Sequence, residues 1–364
     1  MLFELSLILF VLYIGALLAH RLRQSSVSVF IVAGILLKFF IPHSEVVRFM
    51  AQLGAMLLLF TIGLDFSPER VRQGSRKIFV ATALDALINL PLGILLGLGL
   101  GLDVMSALIM GGVLYNNSTS IMARFIIDFR RSALPETEYA VSISVFQDLI
   151  TALYLAIIAG IVHSGTLDVW GIGLVLGKTV GFFVGAFWAA MLLRPVLRRL
   201  MAHESIEVFL LFVVAFLMAL AALAEWLGLS GAIGAFFAGF ILPEREFRER
   251  VERVIAPFRD LFAAIFFVSF GLLMELSHVS HMLLASFLVI LGAVWGKLGT
   301  GWVIGRLVRL SKSASWRLGV ALIPRGEFSI ILAGLAPTPS ILGVTVITVL
   351  VLALLTPLLM KRFH

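Results

Sequence analysis

The sequence predicts an all-α polytopic membrane protein with about 13 transmembrane helices. Of its 364 residues, 61% are hydrophobic and only 13% are charged, and the mean hydropathy is +1.09. Apolar runs long enough to cross a hydrocarbon core of about 30 Å follow one another along nearly the whole chain. The alternating ten-residue pattern of an outer-membrane barrel is absent. A soluble core could not bury so many long apolar segments, so a lipid bilayer is the expected surrounding.

Thirteen apolar segments are predicted, each followed by a short polar loop. Their approximate ranges are 2–19, 27–42, 47–65, 77–101, 103–127, 137–162, 168–193, 206–227, 230–243, 256–276, 280–307, 314–337 and 339–360.

The distribution of lysine and arginine predicts the orientation, because these residues collect on the cytoplasmic side of membrane proteins. They occur in the loops after odd-numbered segments, such as 20–26 and 66–76, and not in the loops after even-numbered segments, such as 43–46 and 163–167. The N-terminus is therefore expected outside and the C-terminus in the cytoplasm of a bacterial-type inner (plasma) membrane. The same loops explain the formal charge of +7, so no nucleic-acid partner is expected.

A weak internal repeat links the two halves of the chain. Residues 30–36 resemble 236–242, and residues 58–65 resemble 266–273, at offsets of about 205 and 208. Segments two and three thereby pair with nine and ten, and this odd shift reverses the orientation of the second copy. The pattern is typical of an inverted-repeat transporter. We expect repeats at about 1–162 and 206–360, a linker helix at 168–193, and one membrane transport domain over 1–364 without a cytoplasmic nucleotide-binding domain.

Segments five and twelve, which the same shift pairs, both carry a polar interruption near mid-membrane. Segment five contains Asn117, Ser118 and Thr119, and segment twelve contains Pro324, Arg325, Gly326 and Glu327. Non-helical backbone at this depth is tolerated only where it is buried in protein or lines a cavity. Two crossed, interrupted helices at matching positions predict the binding site. The alternative is two intact helices, one of them kinked at Pro324.

Asp148 is the predicted ion-binding residue. It lies beside Gln147 in the middle of segment six, where an ionisable group costs about 2.5–3.5 kcal/mol on insertion scales and usually serves a function. Burial disfavours the charged carboxylate, so a proton and a metal ion can compete for it. Oxygen atoms of Gln147, Asn117, Ser118 and Thr119 are expected to complete the shell around K⁺ or Na⁺.

Four further charged residues are predicted to support this site. Lys297 lies near the middle of segment eleven, where it would either hold Asp148 charged until a cation displaces it or form a structural ion pair. Asp85 in segment four would pair with Lys297 or line the cavity. Arg325 and Glu327 would satisfy each other or lie against the half-helix ends that the break creates, and compensation of the helix dipole is favoured over contact with the substrate.

Segment seven carries four glycines spaced four residues apart, at 173, 177, 181 and 185. They share one helix face and permit close helix packing, either in a homodimer or within one protomer. The chain has no cysteine, and no phosphate-binding loop, dinucleotide fingerprint or nucleophile–base pair stands out. Neither an enzyme nor a cofactor is expected.

Several motifs in order give the whole chain a family resemblance. They are LLLFTIGLD at 57–65, VFQD at 145–148, GAFFAG at 234–239, the stretch 257–267 and GEF at 326–328. These resemble the monovalent cation:proton antiporter-2 family, and most of all its glutathione-gated, Kef-type potassium/proton branch. The resemblance implies a dimeric, thirteen-helix antiporter in which Asp148 binds cation or proton. It also implies that Gln147, in place of the acidic residue or Asn of sodium-selective relatives, favours K⁺ and electroneutral exchange.

Two departures from the family pattern concern the site and the regulator. The break in segment five reads NNSTS at 116–120, where relatives commonly have Ser-Ser-Thr-Ala. The chain stops at His364, where many Kef-type members continue into a cytoplasmic nucleotide-binding domain. Three interpretations stay open, namely a piece of a longer protein, a naturally short member, and a subunit whose partner is a separate cytoplasmic regulatory domain or subunit.

The sequence therefore predicts a secondary antiporter of monovalent cations and protons that works by alternating access. One alternative is a sodium-coupled symporter of a small organic anion. A gated potassium channel is another, although no Thr-Val-Gly-Tyr-Gly-like filter occurs. A membrane scaffold or sensor without transport is a third.

Overall fold

The computed structural model describes residues 2–22, 26–40, 45–65, 76–131, 133–165, 169–201, 205–242, 245–273 and 279–362. All regular secondary structure in these ranges is helical. The helices are α1 (Leu2–Leu22), α2 (Ser26–Leu37), α3 (Glu45–Asp65), α4 (Arg76–Gly99), α5 (Val104–Tyr115), α6 (Thr119–Asp128), α7 (Pro135–Ser164), α8 (Val169–Met201), α9 (Ile206–Trp226), α10 (Gly231–Ile241), α11 (Arg245–Leu273), α12 (Val279–Leu307), α13 (Lys312–Ala321), α14 (Glu327–Gly334) and α15 (Pro339–Arg362).

The prediction of an all-α membrane protein is confirmed. Eight of the described helices are long and apolar enough to cross a bilayer, and α2, α5 and α10 are shorter apolar helices. Each predicted segment coincides with one described helix, except that segment five divides into α5 and α6 and segment twelve into α13 and α14.

The predicted start of segment ten is wrong by about three turns. α11 begins at Arg245, whereas the sequence predicts a start near 256. The intervening stretch alternates Arg and Glu, and opposite charges three or four residues apart stabilise a solvated helical turn. Hydrophobicity alone therefore marks the membrane-embedded part of this helix and not its beginning.

The chain forms two compact units, each drawn from both halves of the sequence. The first comprises 1–5, 43–72 and 152–269. Its apolar core includes Phe60 of α3, Phe209 of α9 and Ala235 of α10, all fully buried. α3 and α10 approach backbone to backbone at Gly63 and Gly239, because a Cβ on either glycine would overlap the facing main chain.

α8, α9 and α10 of the same unit line an apolar cavity of about 460 Å³. The glycines 173, 177, 181 and 185 of α8 are exposed, and no described atom lies within 4 Å of a Cβ built on any of them. Gly181 and Gly185 also line the cavity, so in the described chain this face of α8 borders open space.

The second unit comprises 6–42, 73–151 and 270–364. Two helix pairs pack closely within it, α4 on α5 at Gly93 and Gly111, and α12 on α13 at Gly301 and Gly319. A Cβ on Gly93 would lie 2.7 Å from Gly111 Cα, so only glycine permits this approach. Every predicted site residue belongs to this second unit.

Candidate functional site

The predicted interruptions of segments five and twelve are present, and they touch each other. After α5 the chain is extended at Asn116, with φ −66° and ψ 146°, and α6 begins at Thr119. The amide of Ser118 donates to the carbonyl of Pro324 at 2.8 Å. A Cβ on Gly326 would lie 2.8 Å from Ser118 Cβ, which explains the glycine at this point of contact.

Arg325 fills the space between the two broken helices. Its guanidinium is fully buried and donates to the carbonyls of Leu322 at 3.2 Å, Ile323 at 2.6 Å and Leu114 at 2.7 Å. These carbonyls lie at the ends of α13 and α5, where a helix leaves its last acceptors unsatisfied and carries partial negative charge. Arg325 makes no ion pair with Glu327, which occupies the first turn of α14. Arg325 and Glu327 thus do not satisfy each other, and each of them lies at a half-helix end.

One polar face of α7 is bonded to the break between α5 and α6. Ser144, Gln147, Asp148 and Thr151 follow the i, i+3, i+4, i+7 spacing of a single helix face. Asn117 Nδ2 donates to Ser144 Oγ at 2.7 Å, and Gln147 Nε2 donates to the Tyr115 carbonyl at 3.0 Å. Thr119 Oγ1 donates to Asp148 Oδ2 at 2.9 Å, and Thr151 Oγ1 donates to Asn116 Oδ1 at 3.2 Å. The break is therefore held against α7 over two helical turns.

Asp85 and Lys297 form a fully buried ion pair beside this break. Lys297 Nζ donates to both Asp85 oxygens at 2.9 Å and to the Tyr115 carbonyl at 2.7 Å, so all three of its protons are used. Asp85 also accepts from Asn89 Nδ2 at 2.9 Å and from Gln147 Nε2. Both charges are thus paired and hydrogen-bonded, which is the condition under which a buried ion pair persists.

These contacts correct one expectation. The interpretation that Lys297 holds Asp148 charged is wrong as to the partner, because Lys297 pairs with Asp85. The NH₂ group of Gln147 is bonded to Asp85 and to the Tyr115 carbonyl, which leaves its Oε1, the atom predicted as a ligand, without a hydrogen bond.

The structure brings Thr119 to Asp148, as the predicted site requires, and places Asn117 against α7. Ser118 instead joins the two breaks through its backbone. Sequence reasoning missed Ser144 and Thr151, although their spacing from Asp148, one turn on either side, was a usable signal.

Two buried amide oxygens, one in the break and one on the polar face of α7, have no hydrogen-bond partner. Asn117 Oδ1 and Gln147 Oε1 are buried and accept no hydrogen bond, and unsatisfied buried acceptors are uncommon. Amide oxygens such as these, and carboxylate oxygens such as those of Asp148, are hard donors of the kind that suits K⁺ or Na⁺. Among the described residues, no group of three or more His, Cys, Asp or Glu side chains could hold a transition metal.

Comparisons with known proteins point in the same direction. The chain matches, over residues 6–362, the family described as sodium/hydrogen exchanger, transmembrane. The K(+)/H(+) antiporter subunit KhtU of Bacillus subtilis is 32% identical over 375 aligned residues, which cover 99% of this chain and 93% of that protein. The ammonium/H(+) antiporter subunit AmhT of Alkalihalophilus pseudofirmus is 32% identical over 336 residues, covering 92% and 86%.

A solved structure shares the fold at low sequence identity. The sodium proton antiporter MjNhaP1 of Methanocaldococcus jannaschii superposes with a TM-score of 0.74 over 99% of this chain and 96% of that one, at 17% identity. At this identity the likeness concerns the fold alone.

Proposed function

The chain belongs to the transmembrane sodium/hydrogen exchanger family, and from this membership we propose that it is a potassium/proton antiporter in which both ions compete for Asp148. Membership at this level makes it a multi-pass cation/proton antiporter. The single observation that supports Asp148 as the exchange site is its position on the α7 face that is bonded to the interrupted helix.

Exchange follows from the cost of leaving this carboxylate charged in an apolar surrounding. A cation is bound by Asp148, the Thr119 hydroxyl and the two unpartnered amide oxygens of Asn117 and Gln147. A proton neutralises the same carboxylate without those ligands. The unit that carries Asp148 changes its exposure from one side to the other only when either ion is bound, which is alternating access.

The proposed preference for K⁺ over Na⁺ rests on the weak electrostatic field that the ligand oxygens of the site would exert on a cation. The site has one carboxylate and neutral oxygens, because Asp85 is already neutralised by Lys297. A weak field replaces the hydration shell of K⁺ more readily than the tighter shell of Na⁺, since ligand field strength contributes to this selectivity. The name of the K(+)/H(+) antiporter subunit KhtU supports K⁺. The name of AmhT makes ammonium, which has a similar size and the same charge as K⁺, the second candidate.

A duplicated architecture of thirteen membrane segments is proposed as the frame of the site. Three glycines that mediate close helix contacts recur 208 residues later, Gly63 as Gly271, Gly93 as Gly301 and Gly111 as Gly319. The contacts recur with them, because α4 meets α5 at the first pair as α12 meets α13 at the second. Gly63 packs against Gly239, and its counterpart Gly271 packs against Gly34. Gly34 and Gly239 thus correspond as well, at an offset of 205 residues. Such paired contacts support an inverted repeat.

The wider assembly is also part of the proposal. The charge distribution of the loops supports an inner-membrane protein with its N-terminus outside. The open glycine face of α8 suits close packing against a second copy, and a homodimer is proposed through it. KhtU and AmhT are both named as subunits, which supports a regulatory partner on the cytoplasmic side.

Proteoliposomes with a trapped pH dye test the function. K⁺ or Na⁺ is added outside with valinomycin and a protonophore as separate controls, and ammonium is tested as a competitor of radioactive rubidium uptake because NH₃ crosses bilayers unaided. The variants are Asp148→Asn and, as a matched control, Asp260→Asn, which removes an exposed carboxylate of α11.

We expect a cation-driven pH change in the native protein and the control, larger for K⁺, that persists under voltage clamp and disappears in Asp148→Asn. Transport by Asp148→Asn with an unchanged pH profile would refute the role of Asp148. A larger response to Na⁺ would refute the selectivity, and strict dependence on an organic anion would favour symport.

A further inference from the structure

The backbone of Arg131 joins the end of α6 to the start of α7. Arg130 lies in the left-handed region at φ 54°, and the amide of Arg131 donates to the carbonyl of Ile126 at 2.8 Å. This bond between residues five apart is the Schellman pattern that closes a helix. The carbonyl of Arg131 accepts from the amide of Leu134 at 3.0 Å and from Thr137 Oγ1 at 2.8 Å, in the first turn of α7. Arg131 therefore belongs to the ends of both helices.

The side chain of Arg131 reaches a third helix. Arg131 is 4% exposed, and its Nη2 donates to the carbonyl of Met360. Met360 lies in the last turns of α15, where the carbonyls of a helix have no acceptor role within the helix and carry partial negative charge. A charged donor forms a stronger hydrogen bond with such a carbonyl than a neutral donor does. The C-terminal end of α15 is thus bonded to the turn between α6 and α7.

α6 and α7 extend from this turn to the proposed exchange site. At 1.5 Å per residue, Thr119 at the start of α6 and Asp148 in α7 each lie roughly 14–20 Å along their helix from the turn. Thr119 Oγ1 donates to Asp148 Oδ2 at 2.9 Å. The two helices therefore form a hairpin, with Arg131 at its closed end and the Thr119–Asp148 bond between its arms. A displacement of the closed end reaches this bond, because helices transmit motion as rigid elements.

A second contact holds the closed end of the hairpin independently of Arg131. Glu136, in the first turn of α7, is 3% exposed and accepts from Arg317 of α13. α13 is the first half of the second interrupted helix, and these residues all belong to the second unit. The hairpin therefore keeps its attachment to α13 when Arg131 is replaced. The replacement removes the bond to α15.

We propose that Arg131 couples the C-terminal end of α15 to the exchange site, so that a displacement of this helix end changes the affinity for the cation. The inference rests on the exchange proposed at Asp148, and it names the route by which a cytoplasmic partner at the end of α15 would regulate that exchange. Arg131 is a positioning residue and touches neither ion. With its bond to Met360 formed, the hairpin holds Thr119 at Asp148. With the bond released, the closed end shifts and part of the protein loses the Thr119 contact.

The kinetics of exchange in proteoliposomes test this coupling. Arg131→Met removes the donor and should raise the KM for K⁺ roughly fivefold, because about one hydrogen bond at Asp148 is weakened, while kcat stays within about twofold. Arg131→Lys keeps a charged donor and should restore most of the native KM. Arg130→Met is the matched control, because it removes the same charge from an exposed neighbour. In a Thr119→Val background, Arg131→Met should raise KM no further.

A distance measurement tests the joint without transport. The chain has no cysteine, so introduced thiols can be labelled selectively. Lys361→Cys and Glu138→Cys place spin labels at the exposed end of α15 and the exposed start of α7. Double electron–electron resonance in nanodiscs should give one narrow distance distribution for this pair and for the pair with Arg130→Met. Adding Arg131→Met should broaden or lengthen the distribution.

A bulky maleimide displaces the helix end directly. Attached through Lys361→Cys alone, it should raise the KM for K⁺, because the displaced end of α15 pulls on Arg131. The same reagent should have no further effect when Arg131→Met is also present, because the helix end is then uncoupled from the hairpin.

Three results would overturn the inference. The first is a native KM in Arg131→Met, or an equal rise in Arg130→Met. The second is a distance distribution that Arg131→Met leaves unchanged, because α15 is then held by other contacts. The third is a maleimide effect of the same size with and without Arg131. Continued exchange by Asp148→Asn, in contrast, refutes the proposed function, and the distance measurement still decides whether Arg131 holds α15.

Discussion

Breaking the Asp85–Lys297 pair should destabilise the second unit far more than breaking an exposed pair. In Asp85→Asn the buried ammonium of Lys297 keeps its bond to the Tyr115 carbonyl but loses its counter-charge. In Lys297→Met the Asp85 carboxylate keeps the amide groups of Asn89 and Gln147. Both side chains are 0% exposed. Each single substitution should therefore lower the free energy of unfolding by about 3–5 kcal/mol.

The double variant Asp85→Asn/Lys297→Met should lose less than the sum of the two, because it contains no uncompensated buried charge. If the effects were independent, the loss would be roughly 6–10 kcal/mol. We expect the double variant to lose no more than either single variant. Reversible unfolding in mixed micelles, followed by helical circular dichroism as SDS increases, measures all three.

Arg259 and Asp260 provide the control, since this pair lies 2.8 Å apart with Asp260 69% exposed. Asp260→Asn should change the unfolding free energy by at most about 1 kcal/mol. Losses of that small size in Asp85→Asn and Lys297→Met would refute the account of a desolvated, mutually dependent pair. So would a double variant that loses the full sum.

Three further predictions concern the helix ends and contacts. Arg325→Lys cannot reach all three carbonyls and should lower the unfolding free energy by about 2–4 kcal/mol; a loss below about 1 kcal/mol would contradict the capping role. Gly93→Ala forces α4 from α5 and should cost about 1–3 kcal/mol, whereas Gly177→Ala on the open face of α8 should be neutral or stabilising in the monomer. Asp103 is the N-cap of α5, and its side chain accepts a hydrogen bond from the amide of Ser106. Hydrogen bonding to Ser106 lowers the pKa of the Asp103 carboxyl. Asp103→Ala should lower the free energy of unfolding by about 1 kcal/mol at pH values above the ordinary aspartate pKa. This loss should disappear as the pH falls through the lowered pKa of Asp103, and thermal melts at several pH values measure it. A loss that persists at lower pH would contradict it.

The sequence predicted the elements better than their partners. The break at Asn117 and the one at Pro324 were foreseeable, because proline, glycine and competing polar side chains act locally on the backbone. The sequence did not show whether Asp85 or Asp148 is the partner of Lys297. This choice depends on which faces of α4, α7 and α12 meet, and uniform hydrophobicity leaves no periodic signal for that. The helical spacing of Ser144 and Thr151 around Asp148 was readable but carried no weight without the knowledge that the break lies opposite.

The carboxylates of Asp85 and Asp148 have different surroundings, because Asp85 is fully buried and paired with Lys297 whereas Asp148 is half-buried. Protonating Asp85 or giving it a cation would leave Lys297 uncompensated, a penalty of about 3–5 kcal/mol for a broken buried pair. Asp148 accepts a bond from the neutral hydroxyl of Thr119, which can serve a carboxylate and a carboxylic acid alike because a hydroxyl both donates and accepts. Exchange of a proton for a cation at Asp85 would therefore break a buried ion pair, which supports the proposed assignment of the exchange to Asp148. The Asp85–Lys297 pair would keep its charge during the proposed exchange.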